Sequence, residues 1–111
     1  MVASHTEADD VAAVDKTTSY SQHSGTAAQN ITGTLDNAAD ATCSGTLWLF
    51  DPSNTAFQKH YNSTMSDLDN GDYCNTVYVD GKIQTASAVN AVMFKPTAGN
   101  FDGVISMYGV G

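Results

Sequence analysis

Charged side chains are scarce in this sequence, and basic ones are the scarcest. Charged residues make up 14% of the chain, well below the roughly 25% usual for globular proteins. The sequence has four Lys and Arg residues and twelve Asp and Glu residues, which gives a formal net charge of −8. Binding to nucleic acid or to an anionic membrane surface depends on clusters of basic side chains. The composition therefore argues against both as partners and predicts an acidic, well-solvated surface.

Long apolar runs are missing as well. The strongest uninterrupted run is residues 47–50, whereas a membrane-spanning helix needs about 20 apolar residues. Residues 1–10 contain neither the basic start nor the apolar stretch of a secretory leader. We therefore expect no membrane insertion and no signal peptide.

Residues that bind metals or react as nucleophiles are few and dispersed. Two cysteines, Cys43 and Cys74, are too few for a zinc site, which needs about four ligands. Their spacing would permit a disulfide, but the sequence favours two partly buried small apolar side chains. His5, His23 and His60 lie on different segments, without the spacing of a metal site. We expect no metal and no cofactor.

The acidic loop at residues 67–72 resembles a calcium-binding loop in composition only. Gly71 occupies the fifth position, where an EF-hand places an oxygen ligand. The sequence favours a solvated turn, with weak Ca²⁺ binding as the alternative. No nucleophile elbow, phosphate-binding loop or dinucleotide fingerprint occurs. We therefore predict no catalytic residues and no enzymatic activity, and a small hydrolase is disfavoured.

Short β-prone segments separated by turn residues recur at a spacing of about ten residues. The predicted strands are residues 17–23, 29–35, 42–50, 56–65, 73–79, 89–95 and 103–110. This pattern predicts an all-β fold, an antiparallel, jelly-roll-like β-sandwich of about seven strands. Residues 17–111 would form this single domain. Residues 1–16 are small, polar and acidic, and we expect them to form a flexible N-terminal arm.

Residues 42–50 give the strongest strand signal. Trp48 and Phe50 alternate with Leu47 and Leu49, so both faces of the strand are apolar. Such strands are usually covered on both sides, in a sandwich interior or at a subunit contact. Pro52 then predicts a turn at residues 51–54.

Two further segments carry local signals. Asp80-Gly81 is the signature of a two-residue hairpin, which predicts a tight turn before Lys82. Residues 84–94 fit either a helix or a strand, and we favour a strand for residues 89–95 because helix caps are missing.

Aromatic residues supply one more candidate surface. Their side chains could stack on sugars or anchor the core or a subunit contact. The residues are Trp48, Tyr61, Tyr73 and Tyr78.

Three segments carry a family resemblance: Ser44-Gly-Thr-Leu-Trp-Leu-Phe-Asp-Pro-Ser-Asn54, Thr85-Ala-Ser-Ala-Val-Asn-Ala-Val-Met-Phe94 and Gly99-Asn-Phe-Asp-Gly-Val-Ile-Ser-Met-Tyr-Gly-Val110. In order and spacing they resemble the C-terminal half of a β-sandwich module from structural proteins of tailed bacteriophages, many of them marine. Members carry further strands before this half, and only residues 1–41 are present for them here. The resemblance implies either a shortened member or a module completed by neighbouring copies.

The resemblance also implies a function. It predicts a non-enzymatic virion protein, assembled in the cytoplasm of the bacterial host, that forms a homo-oligomer, preferably a trimer, and contacts other virion proteins. A tail-fibre or receptor-binding appendage is the first expectation, and a capsid decoration protein that stabilises the shell is the alternative. The acidic arm would attach the subunit to the particle. A carbohydrate-binding module, with a host surface glycan as its partner, is an alternative from a different class.

Overall fold

The computed structural model describes residues 1–6, 12–15 and 25–110, with side chains for residues 1–2 and 25–110. The strands are β1 (Val2–Thr6), β2 (Ala12–Asp15), β3 (Cys43–Leu49), β4 (Lys59–Leu68) and β5 (Tyr73–Ile83). They form one antiparallel sheet in the order β2-β1-β5-β4-β3. No helix occurs among the described residues. The described chain is therefore all-β and antiparallel, as its composition predicts.

A three-residue loop joins β4 to β5. Asp69 N donates to Tyr73 O at 3.0 Å and Asp72 N donates to Asp69 O at 3.2 Å. Asp72 has a φ of 58°, the left-handed conformation that ends a loop of this type. The Asp69 carboxylate also accepts hydrogen bonds from the N–H groups of Gly71 and Tyr73. The Asp69 carboxylate thus stabilises the loop Asn70-Gly71-Asp72 through hydrogen bonds to its backbone and to the start of β5.

A proline turn ends β3, as the sequence predicts. Asn54 N donates to Asp51 O at 3.2 Å, with Pro52 at the second position of the turn. The Asn54 side-chain oxygen then accepts hydrogen bonds from the N–H groups of Ala56 and Phe57. These bonds reverse the chain between β3 and β4.

Side chains alternate across β3, β4 and β5, so that each residue belongs to one of two faces. One face, here called the covered face, contains every buried residue among the described ones: Lys59, Ser63, Asp67, Asn75 and Val77. The other, called the open face, contains Thr46, Trp48, Phe50, His60, Asn62, Thr64, Tyr78, Asp80 and Lys82. Within the predicted strand at residues 56–65, the side chains of Lys59, Tyr61, Ser63 and Met65 share the covered face, and His60, Asn62 and Thr64 lie on the open face.

Two irregular segments contact the covered face. Residues 25–42 are held there by Asp67, whose Oδ2 accepts a hydrogen bond from Gly33 N at 2.9 Å. Leu35 forms an isolated bridge with Asp69. The second segment, residues 84–89, is held by the ammonium group of Lys59. Val77 is the one buried hydrophobic residue that the described part of the chain contains.

The predicted hairpin at Asp80-Gly81 is wrong. β5 continues through both residues, with Asp80 opposite Asn62 and Gly81 opposite Tyr61. The Tyr61 ring lies over Gly81, where a Cβ atom would collide with it. Glycine is needed here because an aromatic ring of the neighbouring strand lies against the backbone, and a turn is not formed.

The predicted strands at residues 89–95 and 103–110 are also wrong for this structure. Neither segment is a strand, and none of their residues is buried. Val104 is 92% exposed and Met107 is 90% exposed. Their alternating apolar pattern favours a strand, but in the described chain no neighbouring strand pairs with them.

Of the predicted β-sandwich, the described part of the chain shows the all-β content and the antiparallel pairing but not two layers of seven strands. The described residues form one sheet of five strands. Of the other predicted strands, residues 29–35 contribute only the Leu35 bridge, and residues 17–23 lie outside the described part. The described parts of residues 1–16 are β1 and β2, and β1 pairs with β5. The flexibility of this segment and the domain boundary at residue 16 stay predictions.

The two cysteines are free thiols. Cys43 pairs in register with Asp67 on β4, and Cys74 pairs with Leu68. They therefore lie two strands apart on opposite faces, farther than the roughly 7 Å between Cα atoms that a disulfide spans. Cys74 is half-buried as expected, whereas the prediction for Cys43 is wrong because its side chain is exposed at the edge strand.

Candidate functional site

Residues that could carry chemistry are dispersed in the described structure. His60 is exposed on the open face, His5 lies in β1, and His23 lies outside the described residues. Within residues 25–110 and the described parts of β1 and β2, no group of His, Cys, Asp or Glu is placed to hold a metal ion. In the same part of the chain, no helix is long and apolar enough to cross a membrane.

The carboxylates of the acidic loop act as hydrogen-bond acceptors for the protein itself. Asp67 Oδ1 accepts from Asn75 Nδ2 at 3.2 Å, and Asp69 Oδ2 accepts from the same nitrogen at 3.3 Å. The other oxygen of each residue accepts from backbone N–H groups. Both carboxylates thus position loops around the sheet. The solvated turn that the sequence favours for residues 67–72 is wrong for Asp67, which is 2% exposed and lies within β4.

Three aromatic residues project from the open face, Trp48, Phe50 and Tyr78, and together they are here called the aromatic cluster. Tyr78 lies two strands away from Trp48, opposite Thr64. Trp48 is 50% exposed and Phe50 is 48% exposed, and Tyr78 is exposed as well. Trp48 and Phe50 are two positions apart in an extended stretch of backbone, so both side chains project from one face of the sheet. Among the described residues, nothing covers this side of β3, although the sequence predicts cover on both sides.

Polar side chains lie beside the aromatic cluster in two cross-strand rows. One row contains Trp48, Asn62 and Asp80, and the next contains Phe50, His60 and Lys82. Five of these residues, Phe50, His60, Asn62, Asp80 and Lys82, line a shallow, open depression of about 420 Å³ together with Tyr61 and Gly81. The depression offers apolar area, an amide, a carboxylate and an ammonium group.

Tyr61 is one of the residues that line this depression, but its side chain belongs to the covered face. Burial raises the pKa of its phenol above the ordinary value of 10.0, and the Asp80 carboxylate adds to the rise. A hydroxyl with a raised pKa stays protonated at neutral pH, so it is a hydrogen-bond donor and not a base. The Tyr61 ring meanwhile closes the space over Gly81.

The structure separates the four aromatic residues that the sequence proposes as one surface. Trp48 and Tyr78 share the open face, whereas Tyr61 and Tyr73 lie on the covered side. Phe50 completes the cluster and was missing from that set. Its position two residues after Trp48 in an alternating segment is the signal that identifies it.

A second apolar surface is the segment at residues 103–110, here called the tail segment. It contains Val104, Ile105, Met107, Tyr108 and Val110, all of them exposed. The segment has no charged residue. Five exposed large apolar side chains within eight positions exceed what isolated surface residues explain, and a cluster of this kind marks an interaction surface.

Compared with known proteins, the chain matches no protein-family model, no curated protein and no solved structure.

Proposed function

We propose that the chain is a non-enzymatic structural subunit of a tailed-bacteriophage virion, and that it works as a homotrimer in a tail fibre or receptor-binding appendage. The observation that carries this proposal is the large apolar surface that one copy leaves uncovered. It consists of the aromatic cluster on the open face and the tail segment. A monomeric protein that binds a ligand or catalyses a reaction rarely exposes an apolar surface of this extent.

The accessible surface gives the size of this deficit. The chain exposes 8452 Å², about 2500 Å² more than the roughly 5900 Å² expected for a compact monomer of 11.7 kDa. Its radius of gyration of 15.5 Å exceeds the value of about 13 Å expected for a domain of this length. An excess of this size matches what one subunit buries in an obligate oligomer, about 1000 to 2500 Å². Association between copies therefore completes the fold.

The sandwich expected from the sequence then forms between copies. A one-layer sheet whose open face exposes Trp48 and Phe50 needs a second layer to bury these two side chains. A neighbouring copy supplies this layer in the trimer. The proposal agrees with the resemblance noted at residues 44–54, 85–94 and 99–110, which is to virion modules with more strands than this chain offers.

A substitution on the open face tests the trimer. Trp48→Asp places a carboxylate where a second layer would pack, so we expect it to abolish association and to leave the monomer folded. Thr55→Asp adds the same charge in an exposed loop and is the control. A variant Trp48→Asp that associates as well as Thr55→Asp would contradict the role of the open face.

The position on the particle separates the two virion functions. Immunogold labelling of particles of the phage that encodes the chain should place it on the tail. A label on the head shell would favour a capsid decoration protein. Particles that carry no label would contradict both.

A second candidate function is carbohydrate binding, and the open face favours it. Trp48 and Tyr78 offer stacking surfaces, and Asn62 and Asp80 lie beside them to accept hydrogen bonds from sugar hydroxyls. Titration with host surface polysaccharide, followed by Trp48 fluorescence, tests this function. A saturable response that is lost in Asn62→Ala, which keeps the single tryptophan, would support it, whereas an unchanged spectrum of the parent would exclude it.

A further inference from the structure

An unpaired strand edge lies next to the open face. Among the described strands, β3 is at one end of the sheet, with β4 on one side only. Phe50 N donates to His60 O, and Thr42 O accepts from Leu68 N. Backbone groups alternate in direction along a strand. The N–H and C=O groups of Cys43, Gly45, Leu47 and Leu49 therefore point away from β4.

This edge lacks the features that usually prevent strand addition. Exposed edges are commonly protected by charged residues, by proline or by a bulge. Residues 42–50 contain no charged residue and no proline, and the pairing of β3 with β4 runs without interruption from Cys43 to Leu49. A long, neutral, regular edge of this kind accepts another strand.

The tail segment has the length and composition of a strand that could pair with this edge. Its eight residues match the seven of β3 in length. In an extended strand Val104, Ser106, Tyr108 and Val110 would lie on one face and Ile105 and Met107 on the other, so both faces would carry apolar side chains, as in a buried strand. In the described chain the segment pairs with no strand and is exposed.

Charge favours contact between these two segments of different copies. Each copy carries a formal net charge of −8, so that most surfaces of two copies repel one another. Residues 42–50 and the tail segment are both uncharged. They are therefore two surfaces on which association does not bring acidic side chains together.

We propose that the tail segment of one copy adds to the free edge of β3 in a neighbouring copy, as a sixth strand of that sheet. The proposal rests on the homotrimer proposed above and names the contact that forms it. Lys59 and the Val89 N–H, which donates to Pro52 O at 2.7 Å, hold the chain on its own sheet up to residue 89. Residues 90–102 then form a connection of up to about 40 Å, long enough to reach another subunit.

Head-to-tail exchange of this kind closes a ring when each copy donates one tail segment and accepts one. Three such contacts related by a threefold axis complete the trimer. Each copy thereby pairs its tail segment with a sheet and covers part of its apolar side chains, of which Val104 and Met107 are almost completely exposed in a single copy.

Charge substitutions in the tail segment provide the first test. The double variant Val104→Lys and Met107→Lys places a charge on each side of the added strand, and we expect it to sediment as a monomer. The control is Thr97→Lys and Asn100→Lys, which adds the same charge outside the segment and should assemble like the parent. If the tail variant assembles like its control, the exchange is excluded while the trimer itself stands.

Proline substitutions on the edge provide the second test. Leu47→Pro removes an outward N–H group and no hydrogen bond to β4, so we expect a folded monomer. Leu49→Pro removes another outward N–H group and serves if Leu47→Pro fails to fold. Far-ultraviolet circular dichroism checks the fold of each.

A mixture of the two variants separates tail exchange from contact between open faces. The tail variant keeps an intact edge, and the edge variant keeps an intact tail segment. An equimolar mixture should therefore form a one-to-one heterodimer and nothing larger, as measured by sedimentation velocity. Two variants that stay monomeric when mixed would overturn the proposal.

Discussion

The Nζ atom of Lys59 lies 2.7 Å from the carbonyl oxygen of Ser87 and 2.9 Å from that of Ala86. The Thr85 carbonyl accepts a third hydrogen bond at 3.3 Å. The Lys59 side chain is 1% exposed, and a buried ammonium group is tolerated where its donors are satisfied. Three carbonyls satisfy all three donors. Lys59 therefore fixes the last segment held on the sheet before the chain leaves it.

Replacement of Lys59 by methionine should destabilise the monomer. Met fills much of the same volume but leaves three carbonyls without their charged donor. Hydrogen bonds to charged groups contribute about 1.5 to 3 kcal/mol each, and hydration of the freed carbonyls offsets part of this, so we expect a loss of about 2 to 4 kcal/mol. Urea unfolding measures it. Lys95→Met, at an exposed position, should change the free energy of unfolding little, and an equally small effect at Lys59 would contradict the anchoring role.

Replacement of Gly81 by alanine should distort the pairing of β4 with β5. The added methyl group would collide with the Tyr61 ring, and forced displacement in a packed region costs about 1 to 3 kcal/mol. Gly103→Ala is the matched control, because no atom lies within 4 Å of a Cβ built there. Thermal unfolding of the two variants compares them directly. Equal melting temperatures would show that Tyr61 does not cover Gly81.

Deprotonation of Tyr61 should weaken the fold at high pH. Its pKa is raised above 10.0 by burial first and by Asp80 second, whereas in the unfolded chain it stays near its ordinary value. The folded state therefore binds the proton more tightly, so this contribution is complete below the unfolded pKa and is lost as pH rises through the folded one. We expect the free energy of unfolding to fall above about pH 10, and less steeply in Tyr61→Phe.

The exposed Tyr108 offers the control for this pH dependence. Tyr108→Phe removes one phenol hydroxyl from the exposed tail segment and is the matched control for the substitution itself. Parallel pH profiles for the parent and Tyr61→Phe would exclude Tyr61 as the group responsible.

Replacement of Ser63 by alanine should stabilise the protein. The Ser63 side chain is 2% exposed, and within the described part of the chain its Oγ atom has no hydrogen-bond partner. A buried hydroxyl without a partner costs about 1 to 3 kcal/mol. Ser63→Ala removes this cost, so we expect a gain of about 1 kcal/mol in urea unfolding. A loss of stability would mean that the hydroxyl has a partner in the folded protein.

Local periodicity predicts the centre of the sheet well. The alternation at Trp48 and Phe50 identifies β3, Pro52 marks its end, and the alternation of Lys59, Tyr61 and Ser63 gives the faces of β4. Each of these signals depends on neighbours within a few residues. They suffice for strand existence and side-chain direction.

The hairpin between β4 and β5 shows where local signals fail. Both Asn70-Gly71 and Asp80-Gly81 carry a hairpin dipeptide, and the structure turns at the first. The deciding contact is the Tyr61 ring over Gly81, which joins residues 20 positions apart in the sequence. Likewise, no local pattern shows that the carbonyls of residues 85–87 satisfy Lys59. Propensity and periodicity depend on residues close in sequence, so they do not predict long-range contacts of this kind.

The prediction of a strand at residues 103–110 is wrong for another physical reason. Residues 103–110 have strand periodicity, but a strand needs an adjacent edge, and in the described chain they pair with none. Strand addition to β3 of a neighbouring copy would supply that edge. Residues 103–110 would then be a strand in the assembled subunit, as the sequence predicts, and an exposed segment without a partner strand in the separate subunit.

The mass of the full chain in solution tests the homotrimer most directly. Sedimentation equilibrium of the unmodified protein, with both cysteines kept reduced, measures it without assumptions about shape. We expect a mass three times the 11.7 kDa of one chain, which persists on dilution to low micromolar concentration. A mass of one chain across the whole concentration range would contradict the proposal that copies complete one another's fold.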